Sequence, residues 1–233
     1  MKTIGLLGGM SWESTLSYYK LINQGVNREL GGLHSAKICL NSVDFAEIEQ
    51  LQHLGEWQQT ADILAAAAQS IEAAGADCLL ICTNTMHKVA PQISAAINIP
   101  LIHIADATAQ QLILDGVRRV GLLGTQFTMA EDFYKGRLRD KFDIEVIIPD
   151  EEEQQLVHQV IYTELCQGVI RSESRQQYVA IIEKLQQQGA QAVILGCTEI
   201  ALLVQQQHTC VPLYDTTAIH GQSAVQFALE QQG

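Results

Sequence analysis

No apolar stretch of this 233-residue chain approaches the roughly 20 residues needed to cross a bilayer. The opening Met1-Lys2-Thr3-Ile4-Gly5 runs straight into a strand-like apolar segment, without the charged leader or cleavage site of a signal peptide. Basic residues are scarce: 14 Lys and Arg stand against 26 Asp and Glu, a net charge of −12. That shortage argues against nucleic acid, which is bound by Lys and Arg neutralising phosphates, and against an anionic membrane surface. A small anionic ligand stays allowed, because salt confines most of the surface field to about 8 Å and backbone amides can set a local positive site. Charged residues of every kind reach only 17%, against 47% hydrophobic, which is a globular composition. The six cysteines (Cys39, Cys78, Cys82, Cys166, Cys197, Cys210) contain no C-x-x-C pair. Cys78 and Cys82 have no second ligand pair of Cys or His nearby, so no zinc site is expected. These absences suggest a cytoplasmic chain with free thiols and argue against nucleic acid and membrane as partners, with a small-molecule substrate still allowed.

What is present alternates in character. Short apolar runs at residues 3–7, 38–43, 78–81, 101–104 and 120–123 read as strands. Amphipathic stretches at 14–27, 57–74, 107–114 and up to about residue 97 read as helices. The alternation predicts an α/β fold with parallel sheets flanked by helices. It also repeats. The segment Gly75-Ala76-Asp77-Cys78-Leu79-Leu80-Ile81-Cys82-Thr83 lies over residues 189–197 without a gap, Gly5-Leu6-Leu7-Gly8 over residues 121–124, and Ile99-Pro100-Leu101 over residues 211–213. Three matches in one order at nearly one offset predict two similar pseudo-symmetric α/β domains. The boundary is placed near residue 116, giving domains 1–116 and 117–233, with a terminal helix free to cross onto the first domain.

In open α/β sheets ligands sit at the carboxyl ends of strands. The segments expected there are Gly8-Gly9-Met10-Ser11, Thr83-Asn84-Thr85, Gly124-Thr125 and Cys197-Thr198-Glu199, all small or polar. Two such domains facing each other would place an active site in the cleft between them. The glycine turn with Ser11 is neither a P-loop nor a dinucleotide fingerprint. It serves equally as a helix cap or as a set of N–H groups for a carboxylate. Asn84, Thr85 and Thr198 are good caps as well. Cys197 is more specific, since a thiol at a helix N-terminus is expected to have its pKa lowered from about 8.5, which makes a usable base near neutral pH. The gapless repeat pairs Thr83 with Cys197, and a register slipped by one would pair Cys82 instead. Neighbours on a strand face opposite ways, so only one of Cys82 and Thr83 enters the cleft, and Thr83 is the choice here. His87, four residues beyond Thr83, either tunes the site or packs on a helix surface. His103, at a strand end, is placed to line the cleft, and His34, His53, His158, His208 and His220 read as structural or surface residues. The acidic run 150–153 reads as a solvated helix start.

Residues 81–87 (Ile-Cys-Thr-Asn-Thr-Met-His) and 195–199 (Leu-Gly-Cys-Thr-Glu) together resemble the paired motifs of the aspartate/glutamate racemase family, and the opening 8–15 resembles its aspartate racemase branch. The resemblance covers essentially the whole chain. It implies two α/β domains, a homodimer, no pyridoxal phosphate or other cofactor, no metal, and two cysteines flanking the substrate α-carbon. Here Thr83 stands where the family has its first cysteine, and a threonine hydroxyl is a far weaker acid than a thiol. Cys197 is then the one competent base. The expectation is a racemase of aspartate or glutamate that acts preferentially on the L-enantiomer through Cys197, with Thr83 on the opposite face. In that scheme backbone N–H groups and the hydroxyls of Thr85 and Thr198 hold the α-carboxylate, Asn84 bonds either it or the amine, Glu199 anchors the ammonium, and Met10 and Gln52 line the side-chain pocket. Decarboxylation or isomerisation of small dicarboxylates, or binding without catalysis, are the competing readings.

Overall fold

The central strands form where four to six apolar residues run together between polar turns, and they are buried along nearly their whole length, as parallel strands covered by helices must be. A computed structural model describes residues 1–230. The order is β1 (Ile4–Gly8), α1 (Trp12–Leu30), β2 (Ile38–Ser42), α2 (Phe45–Leu54), α3 (Trp57–Ala73), β3 (Cys78–Ile81), a 3₁₀ turn (Thr85–Val89), α4 (Ala90–Ala95), α5 (Ile104–Leu114) and β4 (Arg119–Gly124). It continues with α6 (Gln126–Ala130), α7 (Asp132–Phe142), β5 (Glu145–Ile147), α8 (Glu151–Thr163), a second 3₁₀ turn (Leu165–Gln167), α9 (Ser172–Gln187), β6 (Ala192–Gly196), α10 (Ile200–Leu203), a third 3₁₀ turn (Gln206–His208), β7 (Leu213–Asp215) and α11 (Thr216–Leu229). The strands form two parallel sheets, ordered β2-β1-β3 and β5-β4-β6-β7, in the helix-flanked α/β class expected.

Two compact units hold these sheets. One is Met1–Ile104 with the chain from His220 onward, and the other is Ala105–Ile219. The first division falls at the head of α5, ahead of residue 116, and the second falls inside α11. The second has a packing cause. Ala224, Val225 and Ala228 of α11 are buried with Ile4, Leu6, Tyr18, Ile22 and Leu80 in the first unit's core, and the Lys2 N–H donates to the Ala228 carbonyl (3.0 Å). At the other division, Asp106 of α5 is held by Arg137 and Lys141 of α7, which binds that helix to the second unit.

The sequence repeat reappears inside each unit as matching register. Gly5 lies beside Leu79 in the first sheet, and Gly121 beside Val193 in the second. A Cβ on Gly5 would come within 2.5 Å of Ile71, and one on Gly121 within 2.9 Å of Leu185. Both glycines therefore let a helix, α3 or α9, close onto the central strand. The turns after those helices are built alike: Ala76 N–H bonds to Ile71 O and Asp77 N–H to Thr3 O, while Ala190 N–H bonds to Leu185 O and Gln191 N–H to Arg119 O.

Two elements differ from the sequence reading. Residues 101–104 form no strand, and Leu101 makes only an isolated bridge to Leu79, because α5 starts at Ile104 and leaves room for two ladder bonds. Residues 45–54 form a helix that the apolar pattern hid, since only Ile48 and Gln52 of it are buried. Its caps were the visible signal: Asp44 accepts from Ala46 N–H, and Gly55 closes it in the left-handed conformation.

Candidate active site

In the first unit the carboxyl ends of β1 and β3 are bound together by short polar side chains. Ser11 caps α1 by accepting from Ser14 N–H (3.3 Å). Thr15 accepts the Gly9 N–H (2.8 Å) and donates to Ser11 O (2.9 Å), so one amide of the glycine turn is already taken. The Ser14 hydroxyl reaches across to the Cys82 carbonyl (2.6 Å). Cys82 itself is fully buried among Tyr18, Ile22, Val26 and Ala224, and burial pushes its thiol far up. Thr83, the next residue, is half-buried. Its carbonyl is held by His87 Nδ1 (2.8 Å), in a turn where Asn84 and Thr85 are buried. Met10 lies in the hydrophobic core with Leu7, Ile48 and Met86. Gln52, on α2 after the second strand, is buried and only 2% exposed.

In the second unit β6 delivers Cys197, Thr198 and Glu199 in sequence at its carboxyl end. Thr198 and Glu199 are buried, while Cys197 keeps part of its surface accessible. Glu199 is the hub. Its Oε2 accepts from Cys197 Sγ (3.0 Å) and Thr198 Oγ1 (2.5 Å). Its Oε1 faces Cys166 Sγ at 3.9 Å, from the 3₁₀ turn after α8. This arrangement reverses the expected lowering of the Cys197 pKa. Burial pushes the thiol well above its ordinary value, the Glu199 carboxylate and the nearby Cys166 push it the same way, and only a backbone N–H at Glu199 opposes them. The helix that was to supply the dipole, α10, has four residues, too few to outweigh an adjacent full charge. Cys197 therefore rests as a thiol beside a carboxylate.

Two groups of neighbours lay outside the sequence reading. Cys166 is 31 residues upstream of Cys197, and only the fold of the turn after α8 brings it to Glu199; no spacing rule announces it. His220 and His103 join His87 in a buried cluster of the first unit, with ring centroids 5.9 Å and 4.5 Å from His87. Among the described residues no group of three or more His, Cys, Asp and Glu side chains is arranged to hold a metal, and no helix is long and apolar enough to cross a membrane.

A family model for Asp/Glu/Hydantoin racemase matches residues 7–224. The fold superposes on a crystal structure from Yersinia pestis, named as a candidate Asp/Glu racemase, with a TM-score of 0.93 and 56% identity over 99% of this chain and 100% of that one. An aspartate racemase homologue from Pyrococcus horikoshii OT3 matches with a TM-score of 0.85 and 34% identity, over 99% and 100% of the two chains. The broad specificity amino-acid racemase RacX of Bacillus subtilis (strain 168) is 25% identical over 169 residues, 71% of this chain and 70% of that protein.

Proposed function

The chain belongs to the Asp/Glu/hydantoin racemase family and is an isomerase, and from that premise we propose that it racemises aspartate or glutamate with Cys197 and Thr83 as its two proton-handling groups and no pyridoxal phosphate. The observation that carries this reading is the 3.0 Å hydrogen bond from the Cys197 thiol to the buried Glu199 carboxylate. A thiol must lose its proton before it can take one from an α-carbon, and Glu199 is in reach to accept it. The pair shifts from thiol and carboxylate to thiolate and carboxylic acid, and the thiolate takes the α-proton.

Removing that proton loads negative charge onto the α-carboxylate. Donors aimed there lower the barrier as an oxyanion hole does, and Asn84, Thr85 and Thr198 are proposed for that task. Thr198 already spends its hydroxyl proton on Glu199, so its contribution falls to its backbone N–H. Thr83 relays a proton from solvent to the other face of the planar intermediate through its hydroxyl or a water that it orients, and the proton held on Glu199 returns to solvent, which closes the balance. Because a threonine hydroxyl is a poor base, the step that starts from the D-enantiomer is the slow one.

Enantiomers have equal free energies in water, so kcat/KM must be the same in both directions. A preference for L-substrate can show only in kcat and KM separately and in α-proton exchange without inversion. The test is NMR of L- and D-aspartate and L- and D-glutamate in heavy water with wild type, Cys197→Ser and Thr83→Cys. The expected result is exchange of L-substrate that vanishes in Cys197→Ser, and faster D-exchange in Thr83→Cys. Absence of exchange with all four amino acids in the wild type would overturn the reading.

A further inference from the structure

Behind Thr83 stands a set of buried side chains to which the reaction above gives no part. His87 is 2% exposed and His220 fully buried, and the bonding around them fixes where their protons sit. The Ile104 N–H donates to His87 Nε2 (3.2 Å). An amide can only donate, so Nε2 carries no proton, and a neutral ring must carry it on Nδ1. Nδ1 lies 2.8 Å from the Thr83 carbonyl, which can only accept. The second ring follows the same logic in mirror form. His220 Nε2 is 2.7 Å from the Ile102 carbonyl and must donate, which leaves Nδ1 to accept from the Tyr18 hydroxyl (2.8 Å).

We infer that His87 is a positioning residue, whose Nδ1–H holds the Thr83 carbonyl and thereby sets where the Thr83 hydroxyl meets the substrate. This rests on the proposed role of Thr83. In the 3₁₀ turn the His87 backbone N–H goes to Asn84 O instead (3.1 Å), one residue short of the α-helical partner. The imidazole takes over the bond to Thr83 that the backbone has left unmade. Its other nitrogen is tied to the head of α5 through Ile104, and Ser14 fixes the preceding carbonyl, that of Cys82, from the head of α1. Two consecutive peptide units of the Cys82–Thr83 turn are thus anchored to two different helices. A second proton on His87 would be driven against the Ile104 N–H. The ring is kept neutral by its burial and by the neighbouring His103 and His220, which push its pKa down.

The proton assignment makes two isosteric substitutions differ. In His87→Asn the amide NH₂ occupies the place of Nδ1 and keeps the bond to Thr83. In His87→Gln the amide oxygen can take the place of Nε2 and keep the bond to Ile104, while Thr83 O is released. The experiment measures, for both variants and wild type, racemisation of L-aspartate and L-glutamate and the deuterium gained by L-substrate without inversion. His87→Gln is expected to slow racemisation by about 10- to 100-fold, the scale of a misplacement near 1 Å, with L-exchange through Cys197 retained; His87→Asn is expected to restore most of the racemisation. Equal losses of both activities in both variants would mean that the ring only fills space, and would overturn the inference. The ¹⁵N imidazole spectrum of the wild type gives a check that needs no turnover: a His87 protonated on Nε2, or doubly protonated at neutral pH, would also overturn it. A wild type that racemises none of the amino acids would sink the functional reading and with it the catalytic consequence, while the spectrum still decides whether His87 grips Thr83.

Discussion

Replacing Glu199 by glutamine tests the centre of the second unit with almost no change of shape. The carboxylate accepts from Cys197 at 3.0 Å and from Thr198 at 2.5 Å, and the amide oxygen of Gln can accept the same bonds. What disappears is the negative charge and the ability to take a proton. Two consequences follow with opposite signs. The Cys197 pKa should fall, since Glu199 is the largest contributor to its elevation after burial, and this alone would enrich the thiolate and speed exchange. The acceptor for the thiol proton is lost, and a positioned proton acceptor is worth about 10²–10⁴-fold in rate. If Glu199 accepts that proton, the second effect dominates. The α-proton exchange of L-substrate in Glu199→Gln then drops by about 10²–10⁴-fold, while the alkylation of Cys197, followed against pH, shifts to lower pH. The two measurements separate the roles, because one reads the thiol and the other reads the reaction. Exchange as fast as wild type, or faster, combined with a lowered thiol pKa would refute the assignment and leave Glu199 as a brake on the thiolate. A rise in KM at constant kcat would instead point to a hold on the substrate ammonium.

The remaining predictions concern stability and pH. Ser14→Ala leaves the buried Cys82 carbonyl without its 2.6 Å donor and should cost about 1–3 kcal/mol, measured by urea unfolding; a loss under 0.5 kcal/mol would show that the bond contributes little. His220 is buried neutral, with its pKa pushed down to about 4 by burial, whereas an unfolded histidine titrates near 6.5. The unfolded chain therefore binds the extra proton first, and stability must fall as pH drops from about 6.5 to about 4. The loss is roughly 3 kcal/mol for this ring at about 1.4 kcal/mol per unit. His220→Gln, which can keep a donor to Ile102 O, should flatten that acid limb in thermal melts across pH, and an unchanged limb would contradict the sign. With the Cys197 thiol of the free protein held above its ordinary range, its rate of alkylation should climb with pH beyond 8; a plateau already reached at pH 7 would mean that a thiolate is present at rest.

Most of the fold was legible because the buried strands spell themselves out. Residues 4–8, 78–81, 119–124 and 192–196 are apolar runs bounded by glycine or polar turns, and the repeat among them foreshadowed the shared register of Gly5 with Leu79 and Gly121 with Val193. The boundary of the units was less legible. Repeat arithmetic locates equivalent strands but says nothing of which core a connecting helix joins, and that depends on the buried face of α11. In the candidate site the strand-end positions of Thr83 and Cys197 were readable from local pattern. The electrostatics at Cys197 were not, because the thiol is pushed up first by its burial, then by a carboxylate two residues away and by Cys166, which nothing in the sequence links to it. The helix-terminus argument failed where α10 turned out to be a single turn. The histidine cluster was equally silent, since residues 87, 103 and 220 meet only through tertiary packing.

The path of α11 also carries a consequence for how the protein is made. The helix starts in the second unit and ends with Ala224, Val225 and Ala228 in the core of the first. On the ribosome the first hundred residues emerge early, yet they lack one wall of their core until the last helix is synthesised. The second unit, contiguous from Ala105 to Ile219, has all of its parts before the first does. Folding in the order of synthesis, the usual course for domains, is thus closed to the amino-terminal unit. Until α11 has been made, Ile4, Leu6 and Leu80 lack the cover that Ala224, Val225 and Ala228 give them in the finished core.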